Sequence, residues 1–321
     1  MARKLRIQYP GAVYHVMNRG DRREPIFHDD ADRQRFIETL GEACVKSGWQ
    51  VHAYCLMPNH FHLVLETPEP NLVVGMKWLL GTYTGRFNRR HKLFGHLFSG
   101  RYKSVVIDER SPGYLRTACD YVHLNPVRAG LVPADQPVSA YPWSSYPLYL
   151  APARRPAWLR VDRLLGEHGI QADSAAGRIE FQQRLEQRRR ERVLPERLAA
   201  LRRGWRLGAE DFLQRLTEKL GRPGRKHELA RERRETDTAR AERMVQEQLA
   251  GLGWTEESLA QQPKGHPEKV QLARQLRRQT PMTRHWIARR LEMGSASYVS
   301  HLLGPAGVND SETPLSKSGE L

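Results

Sequence analysis

Cysteine is scarce: three residues in 321 (Cys44, Cys55 and Cys119), with no CxxC pair and no even framework. This excludes a disulfide-stapled secreted domain and leads us to expect a reducing, cytoplasmic compartment. Long apolar runs are missing too. None approaches the roughly 20 residues needed to span a bilayer, and no signal-type segment follows the basic start Met1-Ala2-Arg3-Lys4-Leu5-Arg6. Acidic residues are in deficit, 36 Asp and Glu against 52 Lys and Arg, for a formal net charge of +16. That excess excludes an acidic solvating protein and points to a polyanion. With no membrane segment to favour lipid, nucleic acid is the expected partner, which places the protein at the nucleoid. No fixed-period repeat occurs, so solenoids are excluded.

What remains is enough for two domains and a sizeable core. Residues 1–150 read as a compact α+β catalytic domain. Gly11 to Asn18 alternates as a strand, with Gly20-Asp21 as its turn. Asp29-Asp30-Ala31-Asp32 supplies the acidic start of a helix carrying Phe36, Ile37, Leu40 and Cys44, which Gly48 ends. Two β-like runs, 50–56 and 61–66, flank the turn Met57-Pro58-Asn59. A second helix follows over 71–92, a strand or hairpin over 98–108 and a third helix over 112–125. The order β-α-β-β-α-β-α predicts a ferredoxin-like split βαβ domain, an antiparallel sheet with helices on one face.

Composition changes after Tyr146. Residues 151–243 are crowded with Arg and Glu of interleaved sign and read as a solvated, basic helical arm. Residues 244–305 read as a DNA-binding helix-turn-helix unit, its helices expected at 282–291 and 297–303 around the short turn Gly294-Ser295. Ile287, Ala288, Leu291, Val299 and Leu302 would form its interior. Arg284, Arg289, Arg290 and Tyr298 would face DNA. Residues 306–321 read as a polar, disordered tail.

The sharpest chemistry lies in Asn59-His60-Phe61-His62-Leu63. Residues two apart on a strand share a face, about 6.5–7 Å apart. His60 and His62 would therefore offer two imidazoles to one ion while Phe61 enters the core. Tyr121 and Asn125 stand four apart before Pro126, one turn from each other on one helical face. A phenol and an amide oxygen opposite two histidines suit metal-assisted attack on a phosphoryl group: the ion screens charge and helps the phenolate form. Two partly exposed histidines and an amphipathic helix burying its tyrosine are the plainer alternative. Tyr114, two turns earlier on the same face, is the second candidate nucleophile.

Three ordered motifs, Met57-Pro58-Asn59-His60-Phe61-His62-Leu63, Gly100-Arg101-Tyr102-Lys103 and Tyr121 through Gly130, resemble the REP-associated tyrosine transposases. Those proteins are relatives of the single-tyrosine HUH insertion-sequence transposases. The segment Pro10 to Gly20 is similar to that family's first strand, and the resemblance spans about residues 5–150. It implies a domain that nicks single-stranded DNA beside a hairpin through a 5′-phosphotyrosine and rejoins strands. His60 and His62 would be metal ligands, Asn125 a third polar ligand and Tyr121 the nucleophile. Arg101, Lys103 and Arg128 within the matching motifs would contact DNA. Many members offer glutamine or glutamate where Asn125 stands, so direct coordination by this amide is left open. Nitrogen and oxygen ligands with open positions suit Mg²⁺ or Mn²⁺. Dimers with exchanged tyrosine helices occur among the relatives, which leaves a homodimer open beside a monomer. Two readings compete with the enzyme: a non-catalytic hairpin-binding protein or repressor on this scaffold, and a zinc hydrolase using the histidine pair.

Overall fold

The computed structural model describes residues 6–190, 199–202, 204–220, 226–280 and 282–304, with 226–237 described by backbone alone. The expected tail, 306–321, lies outside the described residues. The chain divides into two compact units, 1–226 and 227–321.

The first unit is α+β. It runs β1 (Ala12–Arg19), α1 (Asp30–Ser47), β2 (Gln50–Met57), β3 (His60–Thr67), α2 (Leu72–His91), β4 (Lys103–Ile107) and α3 (Tyr114–His123). Helix α1 starts where Asp29 accepts a hydrogen bond from the Asp32 N–H at 3.0 Å, with Asp30 and Asp32 at its positive end. It stops at Gly48, whose φ of 68° favours a residue without Cβ. Strands β2-β3-β1-β4 lie in that order, each pair antiparallel, with β2 and β3 joined by the two-residue turn Pro58-Asn59. A fifth strand, β5 (Arg206–Leu207), pairs with β4 in parallel and makes the sheet mixed.

The expectation of helices on one face is corrected. Phe61 packs on Phe36 of α1 with ring centroids 4.9 Å apart, whereas its neighbour His62 meets Tyr121 of α3 from the opposite face at 5.8 Å. Helices thus cover both faces. Phe61 through Leu65 are all buried, so β3 has no solvent side, and the apolar stripe Leu115, Ala118, Cys119 and Val122 of α3 closes the second face.

The solvated arm is corrected as well. Leu164, Leu165, Phe181, Leu185, Leu201, Phe212 and Leu216 all join the core of the sheet domain. Within the helix Ala175–Arg190, Phe181 and Leu185 form a one-turn apolar seam, and Phe181 stacks on Tyr149 at 5.1 Å. Ion pairing of interleaved signs does occur there, as between Arg184 and Glu180. Both sheet edges are sealed: on β2, Val51 and Leu56 donate to the carbonyls of Trp158 in the added layer and of Trp143 just before it, and β5 covers β4.

The second unit holds helices Lys226–Leu252, Glu256–Gln261, Pro267–Gln279, Arg284–Arg290 and Ala296–Leu302. Thr283 and Ser295 cap the last two. Ile287, Ala288, Leu291 and Val299 form the interior as expected, with Leu302 partly buried against it. Residues 291–295 join the two helices, a longer turn than expected, with left-handed φ at Glu292 (51°) and Gly294 (81°). The connection opens at Leu291 rather than at Gly294-Ser295, and Glu292 takes a left-handed position that glycine would favour.

Candidate active site

The β2–β3 hairpin delivers the histidine pair. His60 follows the turn directly, and His62 lies two residues on, on the same face, with ring centroids 5.0 Å apart. Asn59 Oδ1 lies 2.8 Å from His60 Nδ1, and the Asn59 amide nitrogen donates to the Arg23 carbonyl at 3.0 Å, which fixes which end of the amide is oxygen. His60 therefore carries its proton on Nδ1 and keeps the Nε2 lone pair free. His62 Nδ1 lies 2.9 Å from His15 Nε2 on β1, so the same tautomer follows when His15 accepts. Burial, with Arg19 adding, lowers the pKa of His60 to about 4; burial also drives that of His62 well down, with His15, His60 and Arg19 contributing. Both imidazoles are thus neutral near pH 7, the form that binds cations.

Helix α3 delivers the tyrosine. Tyr121 is 6% exposed, and its ring meets His62 and His15 edge-on. Arg128 lies over the same ring at 5.1 Å and donates to the Tyr121 carbonyl at 3.1 Å. The expectation that Asn125 sits in the last turn of α3 is corrected: α3 ends at His123, and Asn125 opens a short helix, Asn125–Arg128. Pro126 lacks an N–H, which a first helical turn tolerates, so the chain re-enters helix instead of leaving it. The Asn125 amide nitrogen is buried and has no hydrogen-bond partner, the state of a side chain whose partner comes from outside the chain.

These groups open into one cavity of about 530 Å³. His60, His62, Tyr121, Asn125, Arg101, Lys103 and Arg128 all line it, so seven candidates far apart in sequence share one wall. Tyr114 is not among its lining residues. Arg19 and Arg202 join the lining, and no Asp or Glu does. Cations gathered without carboxylates make a site for an anion. Sequence reasoning missed His15, Arg19 and Arg202. The parity of β1 could have flagged His15, which shares a face with Met17, the cross-strand partner of His62. Arg202 carries no such signal, because only the covering layer brings it there.

The two imidazoles fit a divalent cation, since each has an Nε2 available; the unpartnered Asn125 atom is the amide N–H donor, which suits a phosphate oxygen, and only the Asn125 Oδ1 could join the imidazoles as a ligand. A separate cluster, His28, Asp32 and His91, also brings potential ligand atoms within 4.8 Å of one another. There Asp32 is already held by Arg90 at 2.6 Å and His91 at 2.9 Å, a tie between the ends of α1 and α2.

Residues 8–125 match the family described as "Transposase IS200 like". The matched segment contains His60, His62, Tyr121 and Asn125. A solved structure described as "Structure of the REP associates tyrosine transposase bound to a REP hairpin" is similar at 19% identity and a TM-score of 0.40, covering 50% of this chain and 93% of that one. No curated protein matches.

Arg284, Arg289, Arg290 and Tyr298 belong to the second unit. Arg284, Arg289 and Tyr298 are exposed, whereas Arg290 is held by Glu242 at 2.5 Å and Glu256 at 2.6 Å. Its donors are occupied within the unit, so the DNA contact expected of it gives way to an internal ion pair. Among the described residues no helix is long and apolar enough to cross a membrane.

Proposed function

We propose that this transposase domain nicks single-stranded DNA beside a hairpin through a covalent tyrosine intermediate and then rejoins strands. The observation that carries the reading is the convergence of Tyr121, His60 and His62 on one cavity otherwise lined by cations. The Tyr121 phenolic oxygen attacks the scissile phosphorus. The new O–P bond forms as the bond to the 3′ oxygen breaks, and the phenol proton passes by way of solvent to that leaving oxygen. The 5′-phosphate then remains on Tyr121, and a 3′-hydroxyl attacking in reverse restores the phosphodiester and frees the tyrosine. Arg101, Lys103 and Arg128 hold the phosphates, and the packing of Tyr121 between Arg128 and the histidine rings limits its rotamers. His60 and His62, with the Asn125 Oδ1 as a third ligand, would hold a divalent ion, Mg²⁺ or Mn²⁺, which would supply positive charge to the phosphoryl group. In the second unit, Arg284, Arg289 and Tyr298 contact the hairpin stem. Incubating the protein with a labelled hairpin oligonucleotide and Mn²⁺ should give an adduct on a denaturing gel. Retention on a native gel without an adduct would instead mark a non-catalytic hairpin binder.

A further inference from the structure

Beside the catalytic cavity lies a second one of about 460 Å³. The two share Met17, Arg101, Lys103 and Arg202, so they form one continuous basic surface. The second is lined also by Arg6, Tyr102 and Trp205. Trp205 is 45% exposed although its backbone is fixed, its carbonyl accepting from the Val106 N–H at 3.0 Å. Just before it, Gly204 turns so tightly that a Cβ there would lie 2.5 Å from the Ala200 carbonyl oxygen. A large indole is therefore held outward, with the Arg206 guanidinium 5.7 Å from its ring centroid. Arg6 lies over the Tyr102 ring at 3.7 Å and donates to its carbonyl at 2.7 Å. No acidic residue lines this groove among the described residues. Trp205 and Arg202 both lie beyond the segment matched by the transposase family.

We propose that this groove binds the unpaired DNA strand flanking the scissile phosphate, an inference that rests on the DNA-nicking reading. Phosphates run along Arg6, Arg101, Lys103 and Arg202, and a base stacks on Trp205. Cations alone would hold duplex and single strand alike. An exposed indole beside them selects an unpaired base, because only an unpaired base offers its open π-face. The ligand is thus a single strand, and the layer added after residue 150 extends the substrate path out of the catalytic cavity.

The test uses the full chain without divalent metal and two fluorescent DNA hairpins, one blunt and one with an unpaired extension of about eight nucleotides, within the usual site size for such grooves. Fluorescence anisotropy gives Kd for each. The extension should tighten binding to the native protein, and Trp205→Ala should weaken binding to the extended hairpin about fivefold or more. Blunt-hairpin affinity should stay unchanged, which also reports an intact fold, and Trp205→Phe should keep most of the gain. Arg202→Ala should flatten the log-affinity against log-salt slope on the extended hairpin by about 0.7. Equal affinity of Trp205→Ala and native protein for the extended hairpin would overturn the proposal. Adduct formation is scored separately with Mn²⁺. A Trp205 effect without adducts would refute the nicking reading and leave a single-strand groove. Adducts with no Trp205 effect would refute the groove alone.

Discussion

At the scale of single residues the site depends on small polar details. His60 and His62 each have Nδ1 engaged, which presents Nε2 to the cavity. His60→Ala and His62→Ala should each lower Mn²⁺ affinity by tenfold or more in calorimetric titration, about the scale seen when even supporting ligand contacts are lost. His62 is 3% exposed, so its substitution should cost more stability than that of the half-buried His60. Unchanged metal affinity in both variants would remove the ion from these ligands. The pair was legible in the sequence because strand periodicity alone places residues 60 and 62 on one face. His15 was not, because its role comes from a neighbouring strand whose register only the folded sheet fixes.

At the scale of elements, sequence and structure part where tertiary packing overrides local composition. The sequence of the first strands and three helices along the chain follows from alternation, caps and turns, and α1 ends at Gly48 as read. Helix Ala175–Arg190 was misread because charge dominates its sequence, leaving Phe181 and Leu185 as a thin seam whose partner, Tyr149, lies far back in the chain. The same limit applies to Arg290. As a basic residue near a helix pair it reads as a DNA contact, yet Glu242 and Glu256 hold its guanidinium. Arg290→Ala should therefore destabilise the protein by about 1 kcal/mol, a figure suited to a partly exposed ion-pair network, and leave the salt slope of hairpin binding unchanged. Arg284→Ala and Arg289→Ala should do the reverse, each flattening that slope by about 0.9 on duplex DNA with little loss of stability. Chemical denaturation paired with binding across a salt series checks both; a flattened slope for Arg290→Ala would contradict the assignment.

At the scale of the whole molecule, buried neutral histidines make the fold sensitive to acid. His123 is fully buried and hydrogen-bonds Ser145 Oγ at 2.8 Å; burial, with the charge of His168 adding, lowers its pKa to about 3. An unfolded chain binds that proton below about pH 6.5, whereas the folded chain resists it. Stability should therefore fall as pH drops from about 6.5 towards 3, by on the order of 4 kcal/mol from this residue alone. His15, lowered by burial to about 4, adds to the same slope. Denaturation midpoints recorded between pH 7 and pH 4 should show the decline, and His123→Gln should flatten it. A flat native profile over that range would mean these histidines take up protons in the fold. Net charge acts at the same scale: +16 draws a polyanion to the molecule, while the carboxylate-free lining of the first unit's cavity would favour a phosphate beside Tyr121.

That placement is the central claim, and one measurement tests it most directly. A hairpin oligonucleotide with an unpaired flank is incubated with the protein and Mn²⁺, the covalent complex is digested, and the nucleotide-bearing peptide is located by mass spectrometry. The account predicts a phosphodiester on Tyr121, and its complete loss in Tyr121→Phe while hairpin affinity stays within about twofold, since removing one hydroxyl empties no core. An adduct on Tyr114, or one that persists in Tyr121→Phe, would contradict it.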